Sequence, residues 1–167
     1  EHTLDAIWVM DLELRFIYIN PAIERMTGYA PAEWIGSRLQ DHCDEENFRA
    51  MAQAVTGEMA AGPGGAGAIF EAVIQKKNGD PIPVEIHGNA VFDASGRPVR
   101  LQGVTRDISE RRKAEEALRE SEQHFRNLAD SGTALIWTSG TDRKFEYFNR
   151  TWLSFRGRAM EQERGDG

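Results

Sequence analysis

Cysteine is almost missing from this chain. Among 167 residues only Cys43 carries a thiol, so no intrachain disulfide can form, and the usage fits a reducing compartment. Positive charge is in deficit as well: 20 Lys and Arg stand against 27 Asp and Glu, a net charge of −7. Nucleic acid and anionic lipid both need a basic face, so neither is expected as a partner. No apolar run approaches the ~20 residues that cross a bilayer, and no segment has a signal-peptide layout. The chain opens on Glu1 and reads as a segment of a longer protein. A cytoplasmic location is expected, with an anchor elsewhere in the parent left open. Catalytic signatures are lacking too. There is no P-loop, GxSxG, HExxH or paired Cys ligand set, so no catalytic residue and no metal site are expected.

What is present is a repeat. Ile7, Trp8, Phe16, Tyr18, Asn20 and Gly28 recur as Ile136, Trp137, Phe145, Tyr147, Asn149 and Gly157, each 129 positions later. Gly36 and Gly165 keep the same spacing, and Ile23/Trp152 and Met26/Phe155 match in character. A period this long is that of a duplicated domain rather than a solenoid. The expected organisation is a complete domain over 1–108, a helical connector over 109–129, and the opening of a second copy over 130–167.

Patterning within the first domain predicts α+β architecture. Residues 5–11 and 15–20 are rich in β-branched and aromatic side chains and read as a hairpin. Asn20-Pro21 then starts a short helix to Thr27, with Ile23 and Met26 on one face and Gly28 at its end. Pro31–Trp34 suggests a further turn. Residues 44–60 form the longest helical pattern, with Phe48, Met51, Ala52 and Val55 at helical spacing. Three strand-like runs follow, at 68–76, 82–92 and 98–106. The first two are joined across Asn78-Gly79, a strong hairpin signal. The order predicts one antiparallel sheet with helices on one side.

From Ser109 onward the chain becomes a charged helix with a thin apolar stripe (Ala114, Ala117, Leu118, Ser121, Phe125, Leu128). A solvated spacer is one reading. The other is a helix that pairs with its twin in a homodimer, since so narrow a stripe matches a coiled-coil seam. His124-Phe125-Arg126 lacks the following Pro of kinase phospho-acceptor boxes, and no phosphorylation of His124 is expected.

The ordered set Asn20-Pro21-Ala22, Thr27-Gly28-Tyr29, Glu33-Trp34-Ile35-Gly36, Lys77-Asn78-Gly79 and Gly103-Val104-Thr105-Arg106-Asp107-Ile108-Ser109 resembles a PAS domain over residues 4–108, and again over 130–167. The closing segment is similar to the Asp-x-Thr exit of bacterial sensor PAS domains, with Ser109 in place of the commoner Thr. The resemblance implies a five-stranded antiparallel sheet cupped by short helices. It also implies a signal-input role in a bacterial multi-domain protein, foremost a sensor histidine kinase, with a diguanylate cyclase or phosphodiesterase as the alternative. The downstream domain of the same chain is then the implied partner.

The resemblance also bears on cofactors. Flavin-binding members carry a reactive Cys where this chain has Leu39, and Cys43 lies four residues too late. Their polar flavin anchors fall here on Ile74, Val84 and Thr105, which argues against photochemical flavin binding. Haem-binding members use a His on the long helix, and residues 44–60 contain none. His42 and His87 are expected at the surface, His87 on the face away from the interior.

What remains is an apolar interior. Alternation places Phe70, Ala72 and Ile74 on one face, with Val84, Ile86, Gly88 and Ala90, and with Leu101, Gly103 and Thr105, beside them. Ile23, Met26, Trp34, Phe48 and Met51 come from the helices. The small residues suggest a hollow sheet centre that holds a small apolar metabolite or is filled by Trp34, Met51 and Phe48. Arg106, Asp107 and Ser109 sit where the last strand meets the connector and are the expected relay residues. Two classes of function remain: a ligand-sensing input domain, or a ligand-free dimerisation and relay module.

Overall fold

The computed structural model describes residues 4–163. Two compact units divide between Arg111 and Arg112.

In the first unit, β1 (Ala6–Met10) and β2 (Phe16–Ile19) form the opening hairpin. Helices α1 (Ala22–Thr27), α2 (Pro31–Trp34) and α3 (Glu45–Ala61) follow, with a 3₁₀ turn at Leu39–His42 before α3. Strands β3 (Ala68–Gln75), β4 (Pro81–Phe92) and β5 (Pro98–Asp107) complete an antiparallel sheet in the order β2-β1-β5-β4-β3. This is the α+β architecture read from the sequence, a five-stranded antiparallel sheet followed by a long helix, α4 (Ser109–Ser131). Element bounds fall within two residues of the expected ones.

Local chemistry explains the elements. Asp44 caps α3, its carboxylate accepting from Asn47 N–H at 2.8 Å, and Glu45 and Glu46 place negative charge at the helix start. Gly28 ends α1 at φ +80°, where its N–H reaches Glu24 O, a left-handed position that suits glycine. The β3–β4 turn closes with Lys76 N–H on Asp80 O at 2.9 Å. Asn20 links hairpin and helix differently from the capping role expected of it. Its side-chain oxygen accepts from Ile7 N–H at 3.1 Å and its amide donates to Asp5 O at 3.2 Å. Asn20 thus acts as an extra piece of strand backbone beside β1, and α1 has no side-chain cap.

Inner-face side chains from all five strands form the core. One cross-sheet row runs Ala68, Gly88, Gly103, Trp8, Ile19. The next runs Phe70, Ile86, Thr105, Ala6. The two glycines of the first row lie beneath its largest residue, Trp8.

The second unit contains β6 (Trp137–Ser139), β7 (Phe145–Phe148), α5 (Arg150–Arg156) and α6 (Met160–Glu163). Asn149 is fully buried. It accepts from Ile136 N–H and Trp152 N–H, both at 3.0 Å, and donates to Ala129 O and Ala134 O at 2.7 and 2.9 Å. Asp130, near the end of α4, accepts from Arg150 N–H at 2.7 Å. Gly165, expected to pair with Gly36, lies outside the described residues.

Candidate functional site: an apolar cavity beneath Trp8

Between the sheet and the helices lies a cavity of about 60 Å³. Of the expected pocket residues, Ile23, Trp34, Met51, Phe70, Ile74, Ile86, Gly88, Leu101 and Thr105 line it. Met26, Ala72 and Val84 are buried in the same core but away from the cavity, and Phe48 packs against that core half-buried. Gly103 lies beneath the Trp8 ring, where an added Cβ would sit 2.5 Å from the indole. Half-buried Ala54, Val55, Glu58 and Ala68 and exposed Asn89 carry the lining out to solvent.

Trp8 changes the expected picture of a glycine-floored hollow. Its indole covers Gly88 and Gly103 and donates Nε1–H to Thr105 Oγ1 at 2.9 Å. Of the two readings of that space, a ligand hollow or filling by Trp34, Met51 and Phe48, neither named the residue of β1 that covers the two glycines. The sequence signal was present: Ala6, Trp8 and Met10 alternate toward the core, and two glycines on neighbouring strands leave room for one large ring. Met10, Phe16, Ile19 and Leu39 also reach the cavity.

His42 is the second correction. Instead of lying at the surface, it is buried and stacks on Trp34, with ring centroids 3.6 Å apart and an 11° interplanar angle. Phe16 and Tyr29 meet both rings edge-on. The 3₁₀ turn swings this histidine inward, which a polar stretch such as Asp41–Glu46 does not reveal. Burial pushes its pKa below the ordinary histidine value, against a smaller opposing effect of Asp41. Ser37 Oγ–H donates to Trp34 O at 2.6 Å. Ser37 Oγ also lies 2.7 Å from His42 Nε2, the direction of that hydrogen bond following the imidazole tautomer. His42 Nδ1 is buried without a hydrogen-bond partner. Cys43 is half-buried, and burial pushes its thiol up to about 11. His87 is exposed, on the opposite side of its strand from Ile86.

The residues do not fit a flavin. Leu39, Ile74 and Val84 offer no polar side chain, and Thr105's hydroxyl already serves Trp8. The cavity is also far below the roughly 300–1,000 Å³ of pockets that enclose ligands of drug size.

At the C-terminal end of β5, next to Thr105, Arg106 forms a two-pronged pair with Asp5 at 3.1 and 2.7 Å. The Arg106 guanidinium holds the Asp5 carboxyl below the usual carboxylate range. Asp107 Oδ1 accepts from Ser109 N–H at 2.8 Å at the start of α4. Fully buried Ile108 donates its N–H to Pro83 O at 3.1 Å. Arg111, which the sequence reading passed over, reaches Glu85 on β4 at 3.1 Å and Glu71 on β3 at 2.6 Å. Glu71 follows Phe70 and Glu85 precedes Ile86, both cavity walls.

The family model for PAS domains matches residues 4–110. The chain belongs to the PAS domain family. PAS domains are sensory rather than catalytic. An uncharacterised protein, y4lL, of Sinorhizobium fredii (strain NBRC 101917 / NGR234) is 30% identical over 172 residues, a match covering 96% of this chain and 19% of that protein. This chain thus spans about a fifth of that relative's length. The solved structure of a sensory box histidine kinase/response regulator from Burkholderia thailandensis E264 superposes with a TM-score of 0.56 at 19% identity, covering 74% of this chain and 92% of that one. The N-terminal domain of a diguanylate cyclase with PAS/PAC sensor from Marinobacter aquaeolei gives 0.54 at 20% identity, covering 65% and 98%. At such identities the PAS likeness to these two structures is one of fold. Among the described residues, no helix is long and apolar enough to cross a membrane.

Proposed function

We propose that residues 1–108 are the input domain of a bacterial multi-domain signalling protein, foremost a cytoplasmic sensor histidine kinase. Its cavity takes a small, largely apolar molecule, and the connector helix of residues 109–129 passes the bound state onward. The alternative output is a diguanylate cyclase or phosphodiesterase. Residues 130–167 are then the opening of a second PAS domain, and the protein works as a homodimer through the PAS domain and the connector helix.

The observation carrying this reading is the short path from cavity wall to helix. Thr105 lines the cavity and holds Trp8, Asp107 two residues later holds Ser109, and Arg111 ties the first turn of α4 to the two neighbouring strands. Exposed ion pairs contribute only ~0–1 kcal/mol each to stability. They nevertheless constrain the direction in which a helix leaves a sheet. A ligand shifts that direction only by its differential affinity for the two arrangements. The test is Asp107→Ala in the full-length parent. Altered basal or stimulated output is expected; output unchanged in both removes the junction from the mechanism.

A ligand-free dimerisation and relay module is the second reading. It is favoured by Trp8 filling the glycine hollow and by the exposure of Leu118, Phe125 and Leu128 on α4. Concentration-dependent association with no saturable small molecule would select it.

A further inference from the structure

The cavity between sheet and helices is walled mainly by hydrocarbon: Met10, Ile19, Ile23, Met51 and Leu101 meet there. Its few polar groups are engaged elsewhere or set at the rim. Thr105 carries the one hydroxyl in the lining, and its oxygen holds Trp8 Nε1–H at 2.9 Å. Trp34 Nε1 and His42 Nδ1 have no hydrogen-bond partner, but surrounding atoms close both off, so nothing in the cavity reaches them. The Gly88 backbone lies inside the sheet ladder, between Ala68 and Gly103. Glu58 and Asn89 stand where the lining meets solvent. A water molecule held in a cavity needs about two to four polar partners. This wall does not supply them, so water competes weakly for the space.

We propose that the cavity selects a short unsubstituted hydrocarbon of roughly two to four carbons, and that this is the class of molecule sensed. A hydroxyl or carboxylate placed inside gives up its water for a wall with little to pair it, and an unpaired buried polar group is costly. A hydrocarbon gives up nothing and gains contact with the wall. The size agrees: an engineered apolar cavity of about 150 Å³ takes benzene with its six carbons, and this one holds about 60 Å³. Glu58, at the solvent-facing end, is the group that would instead favour an alkylammonium, and the experiment carries that arm. Leu101 and Thr105 place β5 in the cavity wall, and β5 leads through Ile108 to Ser109 at the start of α4. An occupant therefore presses on the strand from which the connector helix leaves.

This proposal rests on the ligand-sensing reading and adds the class of ligand. The experiment uses the 167-residue chain with ¹³C-labelled Ile, Leu and Met methyls and ¹⁵N-labelled amides. It is titrated at pH 7.5 with propane under pressure, 1-propanol and propylamine. Propane is expected to saturate and to shift the Ile23, Met51 and Leu101 methyl resonances together with the Ile108 and Ser109 amides. It is expected to bind at least about tenfold more tightly than either polar analogue. Ala54→Leu adds bulk to the lining from α3 at little cost in helix propensity, and is expected to weaken propane at least about fivefold. Unchanged affinity in that variant puts the bound propane outside the cavity and overturns the proposal; if the variant fails to fold, the wild-type competition decides. 1-Propanol binding as tightly as propane overturns the hydrocarbon class and leaves the sensing cavity standing. Tighter binding of propylamine does the same and moves recognition to Glu58. Propane binding tightest with the Ile108 and Ser109 amides unmoved marks an inert void, and overturns the claim that a hydrocarbon is sensed. Binding of none of the three overturns the ligand-sensing reading as well.

Discussion

The two hairpins open with the same backbone and end in different surroundings. In the first, Trp8 pairs with Ile19, Val9 with Tyr18 and Met10 with Phe16, with a bulge between Val9 and Met10. In the second, Trp137 pairs with Phe148, Thr138 with Tyr147 and Ser139 with Phe145, with the bulge between Thr138 and Ser139. Leu14 and Arg143 both adopt positive φ, at +61° and +65°. Gly28 and Gly157 both end a helix in the left-handed region. Every one of these positions repeats at the 129-residue offset. The side chains do not share this constancy. Trp8 is 7% exposed and Trp137 is 48% exposed. Trp8 has β5 beside it and Gly88 and Gly103 beneath it; among the described residues, β6 and β7 have no third strand. Hairpin, bulge and asparagine bracket are therefore local products of sequence, whereas burial of the tryptophan comes from distant strands.

The sharpest way to break this comparison is a pair of substitutions. Trp8→Ala is expected to destabilise the first unit by about 3–5 kcal/mol, the range for deleting a large buried aromatic. Trp137→Ala is expected to cost under about 1 kcal/mol. Urea unfolding followed separately for each unit by NMR checks both, and similar losses would mean that the two hairpins are equally dependent on long-range packing. Next in size are Asn20→Ala and Asn149→Ala. Each removes a side-chain bracket from a buried strand end, so both should cost about 1–3 kcal/mol, with neither unit spared.

Smaller effects concern groups that only the first unit has. The pKa of His42 is lowered on folding. The unfolded chain then binds a proton near pH 6.5 that the folded one resists, so stability is fully present at higher pH and falls as the pH drops below about 6.5. The melting temperature of wild type should therefore decline between pH 7.5 and 5.5 more than that of His42→Phe; parallel curves would contradict the buried placement. Cys43, with its thiol pushed up to about 11, should react with iodoacetamide at pH 8 more slowly in the native chain than in urea. Equal rates would place the thiol at the surface.

What could be read in advance follows the same division. The strands and turns were legible because alternation and Asn78-Gly79 act over a few residues. The inner-face sets on β3, β4 and β5 were legible because side-chain direction has a period of two. Trp8 was missed as a cavity element because its place over Gly103 depends on cross-strand register between residues nearly a hundred positions apart. His42 was missed because a single 3₁₀ turn reverses its exposure. Arg111 was missed because nothing in the run Arg111-Arg112-Lys113 distinguishes the one that reaches Glu71 and Glu85.

The central claim is that the cavity wall and the start of α4 form one mechanical unit through β5. Trp8→Phe keeps a large ring but removes the bond to Thr105, and amide hydrogen exchange in this variant reads the consequence residue by residue. The account expects faster exchange at Ile108 and Ser109, whose N–H groups are held by Pro83 O and Asp107 Oδ1, with the Lys76–Asp80 turn unchanged. Acceleration confined to β1 and the Thr105 region, with Ile108 and Ser109 exchanging as in wild type, would contradict it.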